Sequence, residues 1–155
     1  MEFKPLDQNF EDRVRVSFNR QAFMMTIGAT IDGIRPGQCE VHLPVTSALG
    51  QQDGFVHAGV TSAIADTAAG YAAYTLFPSQ SSVLTIEFKI NLLAPAEAPE
   101  LIARARVIRT GRTVTVVHSD VFGTASGKER HIAAMQATMI CIHGFSDTNR
   151  GSNCS

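Results

Sequence analysis

The sequence predicts an α+β fold in which one long central helix lies against the concave face of a curved antiparallel sheet of about six strands. Three observations lead there. The stretch from Val56 to Phe77 is rich in alanine, free of proline, and too poor in β-branched residues to make a good strand. Four strand-like runs follow it and two precede it, most of them separated by turn residues. A single helix among antiparallel strands packs as one layer on the other, and a helix with almost no charge belongs against the sheet rather than in water.

The bulk properties agree with one soluble domain. The chain has 155 residues, of which 45% are hydrophobic and 17% charged, with a formal net charge of -1. That length suits a single core. The charge balance favours neither nucleic acid nor a membrane surface. No apolar run approaches the ~20 residues that span a bilayer. The start, Met1-Glu2-Phe3-Lys4-Pro5, has no apolar signal core. These points predict a cytoplasmic location. Cys39, Cys141 and Cys154 are an odd set without paired spacing, so neither a disulfide framework nor a zinc site is expected.

Along the chain, Asn9 to Phe23 mixes charges with Phe10, Val14, Phe18 and Phe23 and reads as a short amphipathic helix. Met25 to Ile34 and Gln38 to Val45 read as strands, with Gly33, Pro36 and Gly37 marking the turn. In the second run Cys39, Val41 and Leu43 alternate with Glu40 and His42, the pattern of a half-buried strand. After the long helix, Ser82 to Leu93, Glu100 to Arg109, Thr113 to Gly123 and Arg130 to Ile142 read as strands. The expected organisation is an N-terminal helical segment (1–24), the helix-and-sheet domain (25–145) and a polar tail (146–155).

On a wheel of 3.6 residues per turn, Val56 to Phe77 shows two stripes. Val60, Ile64, Ala68, Tyr71 and Thr75 form the expected core face. Gly59, Ser62, Ala63, Asp66, Ala69, Gly70 and Ala73 form a row of small residues with one carboxylate in it. Asp66 is the only Asp, Glu, Lys or Arg between Asp53 and Glu87. Burying a lone carboxylate costs several kcal/mol unless it is paired. Asp66 is therefore either a structurally bonded or edge-exposed aspartate, or a reactive group. His57-Ala58-Gly59 falls at the helix start, where free backbone N–H groups and the helix dipole favour negative charge. An oxyanion site together with a carboxylate makes a minimal hydrolase.

Gly54-Phe55-Val56-His57-Ala58-Gly59-Val60, followed by Ala63-Ile64-Ala65-Asp66-Thr67-Ala68, resembles the HGG…AD segment of hotdog-fold acyl-CoA thioesterases of the phenylacetic acid degradation (PaaI-like) family. Thr85 to Ala96, with its Pro-Ala turn, resembles the strand after the helix in that family. Val107 to Val117, with Arg109-Thr110-Gly111-Arg112-Thr113, resembles the next strand pair. The resemblance spans roughly residues 33–142. It implies a hotdog fold, hydrolysis of an acyl-CoA to a free acid and CoA, and no cofactor or metal.

The resemblance also implies roles. Asp66 falls on the family's catalytic acid, acting as nucleophile or as general base toward water. Ala58 falls on the oxyanion-hole N–H; many members carry glycine there. Gln51 falls on the residue that polarises or orients the thioester, and Thr85 on a Ser/Thr that positions the water or the acid. His57 and Gly59 support the loop at the helix start. In relatives the site forms at a subunit interface, so a homodimer or homotetramer is implied. An unpaired sheet edge points the same way.

Candidate CoA contacts are Arg109 and Arg112 at a hairpin tip, since Arg suits phosphate, and Lys89 and Asn91 on the strand of Thr85. A solvated turn is the plainer reading of the arginines. Ser62 lacks a histidine to activate it as a nucleophile. His42, His118, His131 and His143 show no metal-ligand spacing. Phe55, Tyr71, Tyr74 and Phe77 serve as core or as acyl-pocket lining. The sequence leaves open the acyl group, the carrier (CoA or an acyl carrier protein), and the choice between dimer and tetramer. Its rival readings are a non-catalytic acyl-CoA-binding domain, a hotdog dehydratase or hydratase, and an interaction protein that shares only the fold.

Overall fold

A computed structural model describes residues 3–144. Cys154 and the expected polar tail, 146–155, lie outside the described residues. The chain opens with helix α1 (Phe10–Phe18) and helix α2 (Ala22–Ile27). Strands β1 (Thr30–Arg35) and β2 (Gln38–Pro44) follow, then the long helix α3 (Ala58–Tyr74). Strands β3 (Ser81–Leu92), β4 (Glu100–Thr110), β5 (Val114–Ala125) and β6 (Lys128–His143) complete the chain. The six strands form one antiparallel sheet in the order β1-β2-β4-β5-β6-β3. It wraps α3 without closing, so β1 and β3 are its edges. This is the hotdog fold expected from the sequence.

The wrapping works because both surfaces are thin where they meet. On α3, Ala65, Ala68, Ala69 and Ala72 are fully buried. Ala103 and Ala105 on β4, and Ala133 and Ala137 on β6, line the inner face of the sheet. Alanine on alanine lets the backbones approach closely. Larger groups, including Ile64, Leu43, Leu101, Met135 and Met139, fill the flanks. Every buried apolar group contributes roughly 25 cal/mol per Å² of area removed from water.

The N-terminal region departs from the expectation. A single helix over Asn9–Phe23 was anticipated; two helices form, broken after Phe18. The expected strand from Met25 begins only at Thr30, because Met25 and Ile27 belong to α2. Gly28 ends α2 with φ +77, a left-handed cap that glycine adopts at little cost. The anticipated boundary between residues 24 and 25 thus falls inside α2. A six-residue helix is too short to reveal itself by periodicity, and its Met and Ile residues pass equally for strand.

Arg13 ties this region to the far end of α3. Its guanidinium donates to the carbonyls of Tyr74 (3.0 Å), Phe77 (2.8 Å) and Pro78 (2.6 Å). It lies over the Tyr74 ring at 4.2 Å and pairs with Asp7 at 3.0 Å. The last carbonyls of a helix lack partners within the helix, and a cation there is attracted to the negative end of the helix dipole.

Candidate active site

The N-terminus of α3 is held rigidly. The Val56 N–H donates to the Ala96 carbonyl (3.0 Å) and the His57 N–H to the Leu49 carbonyl (2.9 Å). His57 is the N-cap: its Nδ1 accepts from the Gly59 N–H at 2.9 Å. An accepting Nδ1 puts the proton of the neutral ring on Nε2. A Cβ at Gly59 would lie 2.9 Å from that same Nδ1, so the capping ring itself requires glycine two residues on. The Val60 and Thr61 N–H groups point to the His57 carbonyl. Among the described residues this leaves the Ala58 N–H as the one amide of the first turn without an acceptor.

Gln51 sits beside it. Its side-chain oxygen accepts from the Asp53 N–H at 2.7 Å and its own N–H donates to the Phe55 carbonyl at 2.8 Å. These two bonds fix the loop. Gln51, His57 and Ala58 line a cavity of about 560 Å³ together with Thr61 and the Leu92–Ala96 segment. Gln51 thus shares a cavity with the start of α3.

Asp66 lies two turns further along α3 and opens into a different cavity. That cavity, about 330 Å³, is walled by Ala63, Thr67, Gly70 and Tyr71 of α3, by Val83 to Thr85 of β3, and by Gln21, Phe23 and Met24. The Thr85 hydroxyl donates to Asp66 Oδ1 at 2.7 Å. Burial pushes the Asp66 carboxyl above the usual carboxylate range, and the Thr85 hydrogen bond partly opposes this by favouring the ionised form. The β3–β6 ladder has a register shift between Thr85 and Glu87. Such a bulge re-aims neighbouring side chains, here at the point where Thr85 meets Asp66.

The α3 stripes are shifted from the wheel reading. The buried face is Thr61, Ile64, Ala65, Ala68, Ala69, Ala72 and Ala73 with Tyr71 and Tyr74, while Val60 is only partly covered. Ala69 and Ala73, assigned to the open row of small residues, are fully buried. Ala63, Asp66, Thr67 and Gly70 make the open face. Ser62 is occupied: its hydroxyl donates to the Ala58 carbonyl at 2.8 Å. The aromatic residues divide likewise. Tyr74 and Phe77 are core, Tyr71 is buried with one side on the Asp66 cavity, and Phe55 lines the cavity of Ala58.

The four candidate CoA contacts lie outside both cavities. The Lys89 ammonium donates to the Asn91 carboxamide oxygen at 2.5 Å on exposed β3. Arg109 and Arg112 are exposed at the β4–β5 hairpin, on the same side of the sheet as the Thr85 end of β3. His42 lies within 3.5 Å of the Glu40 and Glu100 carboxylates, and His118 and His131 lie 2.9 and 2.8 Å from the Asp120 carboxylate. Among the described residues no group of three or more His, Cys, Asp and Glu side chains is arranged to hold a metal ion, and no helix is long and apolar enough to cross a membrane.

The wall formed by Gln21, Phe23 and Met24 was not foreseen. The Gln21 carboxamide donates to the Tyr71 hydroxyl (2.9 Å), which donates to Ser17 Oγ (3.2 Å). The one sequence signal for α2 is Gly28, since glycine commonly ends a helix in the left-handed conformation it adopts here.

A single long helix wrapped by this open antiparallel sheet defines a hotdog protein. The comparisons agree. A family model described as the thioesterase superfamily matches residues 53–127. A 1,4-dihydroxy-2-naphthoyl-CoA hydrolase of Listeria monocytogenes is 32% identical over 91 residues, covering 59% of this chain and 74% of that protein. A candidate esterase of Halobacterium salinarum is 32% identical over 100 residues, covering 61% of this chain and 66% of that protein, just under two thirds. A solved thioesterase family protein from Silicibacter pomeroyi is 45% identical, with a TM-score of 0.85, covering 87% of this chain and 99% of that one. The PaaI protein of the E. coli phenylacetic acid degradation operon shares the fold, with a TM-score of 0.81 at 20% identity over 90% of this chain and 98% of that one. The chain belongs to the thioesterase superfamily, a family of thioester hydrolases.

Proposed function

We propose that the protein hydrolyses an acyl-CoA thioester to a carboxylic acid and CoA, at a site completed by two copies of the chain. One observation carries this reading: Asp66, raised in pKa and bonded to Thr85, sits two turns along the same helix whose tip holds the free Ala58 amide. Eight residues at 1.5 Å per residue separate them by ~12 Å. The oxyanion donor must lie roughly 3 Å from the carbonyl oxygen, and the base must lie beside the water that attacks the same carbon. One protomer does not meet both conditions.

A second copy does so through β3. This edge strand exposes Leu84, Ile86, Phe88 and Leu92. Asp66 adjoins Thr85 near its start, and the Ala58 cavity adjoins Leu92 near its end. Antiparallel pairing of two β3 strands about a point near Phe88 sets the start of one beside the end of the other. Asp66 of one copy then faces Ala58 and Gln51 of the second.

In that site the Ala58 N–H and the Gln51 carboxamide hold the thioester oxygen as it becomes negative. Ionised Asp66, steadied by Thr85, takes a proton from water as it attacks the carbonyl carbon, or attacks that carbon itself and is released by water. The C–S bond breaks and CoA leaves as thiolate. Lys89, Asn91, Arg109 and Arg112 offer charge and hydrogen bonds to the nucleotide end of CoA at the rim.

Complementation tests the arrangement. Asp66→Asn removes the base. Ala58→Pro removes the N–H at the first helical position, where proline is tolerated and His57, at ψ 134, is already extended. Each variant alone is expected to lose roughly 10²–10³-fold or more in kcat. Refolded together, they are expected to recover turnover, because a mixed dimer holds one intact site. Two folded variants that form mixed dimers without recovery would place both groups elsewhere. A purely binding domain would release no thiol from acyl-CoA even as wild type.

A further inference from the structure

We infer that Gly70 sets the size of the acyl group, with α2 as the opposing wall of the acyl pocket. The inference rests on the hydrolase reading above.

Gly70 lies one turn beyond Asp66 on the same face of α3, ~6 Å along the axis. Glycine within a helix is costly, because the unfolded chain has more freedom to lose. Structures usually explain such a glycine by a positive φ or by a neighbour too close for a Cβ. Neither holds here. Gly70 is absent from the positive-φ residues, and a Cβ built on it meets nothing within 4 Å. The missing side chain leaves open space, and that space belongs to the cavity that holds Asp66.

The surroundings say what fills it. Phe23 and Met24 stand across from α3, and Val83 and Leu84 close the β3 side. Phe23 is 56% exposed, so an apolar ligand against it would remove a large apolar surface from water. With the thioester carbon beside Asp66, the acyl chain runs past the carboxylate toward Gly70, between α2 and β3. The fitted class is a bulky apolar acyl group, such as a medium alkyl chain or a ring, rather than acetyl.

Gly70→Ala and Gly70→Leu test this on the full chain, with acetyl-CoA, hexanoyl-CoA and phenylacetyl-CoA as probes and thiol release as readout. Gly70→Ala is expected to melt at or above the wild-type temperature and still to lower kcat/KM for the two larger substrates. Gly70→Leu is expected to lower kcat/KM for them by roughly 10–200-fold more than for acetyl-CoA, the scale of a misfit methylene, so that the substrate ratio shifts toward acetyl. Equal losses on all three substrates, no change in their ratio, or a change in oligomeric state with Gly70→Leu would overturn the inference. Asp66→Asn run beside them separates the two readings: if it retains turnover, the hydrolase site itself is misplaced. If it is dead while the substrate ratio ignores Gly70, only the pocket assignment fails.

Discussion

Thr85 on β3 donates its hydroxyl proton to the carboxylate of Asp66 on α3, at 2.7 Å, and so joins the edge strand to the middle of the buried helix. The bond occupies Oδ1 of a carboxylate that lines the cavity. It also opposes the burial that pushes the Asp66 carboxyl upward.

The first consequence concerns pH and stability. Only the ionised carboxylate can take a proton or attack carbon, so kcat/KM should fall as pH drops through the raised pKa of Asp66. Its acid limb should lie above the ordinary carboxylate range. In stability the effect has the opposite sense. Because the folded pKa exceeds the unfolded one, the contribution of Asp66 is fully favourable below the unfolded pKa and is lost as pH rises through the folded value. At neutral pH the ionised group therefore costs stability. Asp66→Asn should abolish turnover while raising the melting temperature at pH 7, and that gain should vanish in acid. Melting curves across pH check it; a lower melting temperature at pH 7 would contradict the burial argument.

Thr85→Val keeps the branched shape and removes the hydroxyl. A hydrogen bond to a charged group is worth roughly 1.5–3 kcal/mol, and kcat should fall roughly 10–100-fold if the bond positions the base. The acid limb should also move to higher pH, since the interaction that favours the ionised form is gone. Thr85→Ser should restore both. A drop in kcat with an unmoved acid limb would make Thr85 a packing residue.

The β3 edge offers a separate handle. Phe88→Arg puts a charge near the proposed two-fold, and its symmetry mate brings a second. Like charges juxtaposed at an interface destabilise it. The variant should sediment as a monomer with its circular dichroism intact, and should release no thiol. A folded, active monomer would refute the shared site.

Arg13 predicts a loss of stability without a loss of chemistry. Its guanidinium serves three carbonyls at the end of α3 and the Asp7 carboxylate, far from Asp66. Arg13→Met keeps the apolar stem but strands these acceptors and a mostly buried Asp7. Breaking such a pair costs roughly 3–5 kcal/mol. Denaturant midpoints should fall accordingly, while kcat below the transition should stay near wild type.

β2 and the four strands after Pro78 were legible to within two residues, because Cys39, Val41 and Leu43 on β2, and the runs after Pro78, carry the period of a half-buried sheet; the expected start of β1 at Met25 fell inside α2. The long helix was legible because alanine density and missing charge leave little alternative. Asp66 stood out for the same reason: a lone charge in an apolar stretch must be explained. The α2 wall was hidden, since six residues hold less than two helical turns and the same Met and Ile residues suit a strand.

What the sequence determined by itself is the order of the six strands about the long helix, the neutrality of that helix and the single carboxylate in it, since these depend on local composition and spacing. Tertiary structure alone decided that Thr85 reaches Asp66, that His57 takes the Gly59 amide and leaves that of Ala58 open, and that Gly70 borders empty space. Each depends on where distant segments meet, including the bulge in β3 and the placing of α2 across the cavity from α3, and no residue spacing along the chain encodes those distances directly.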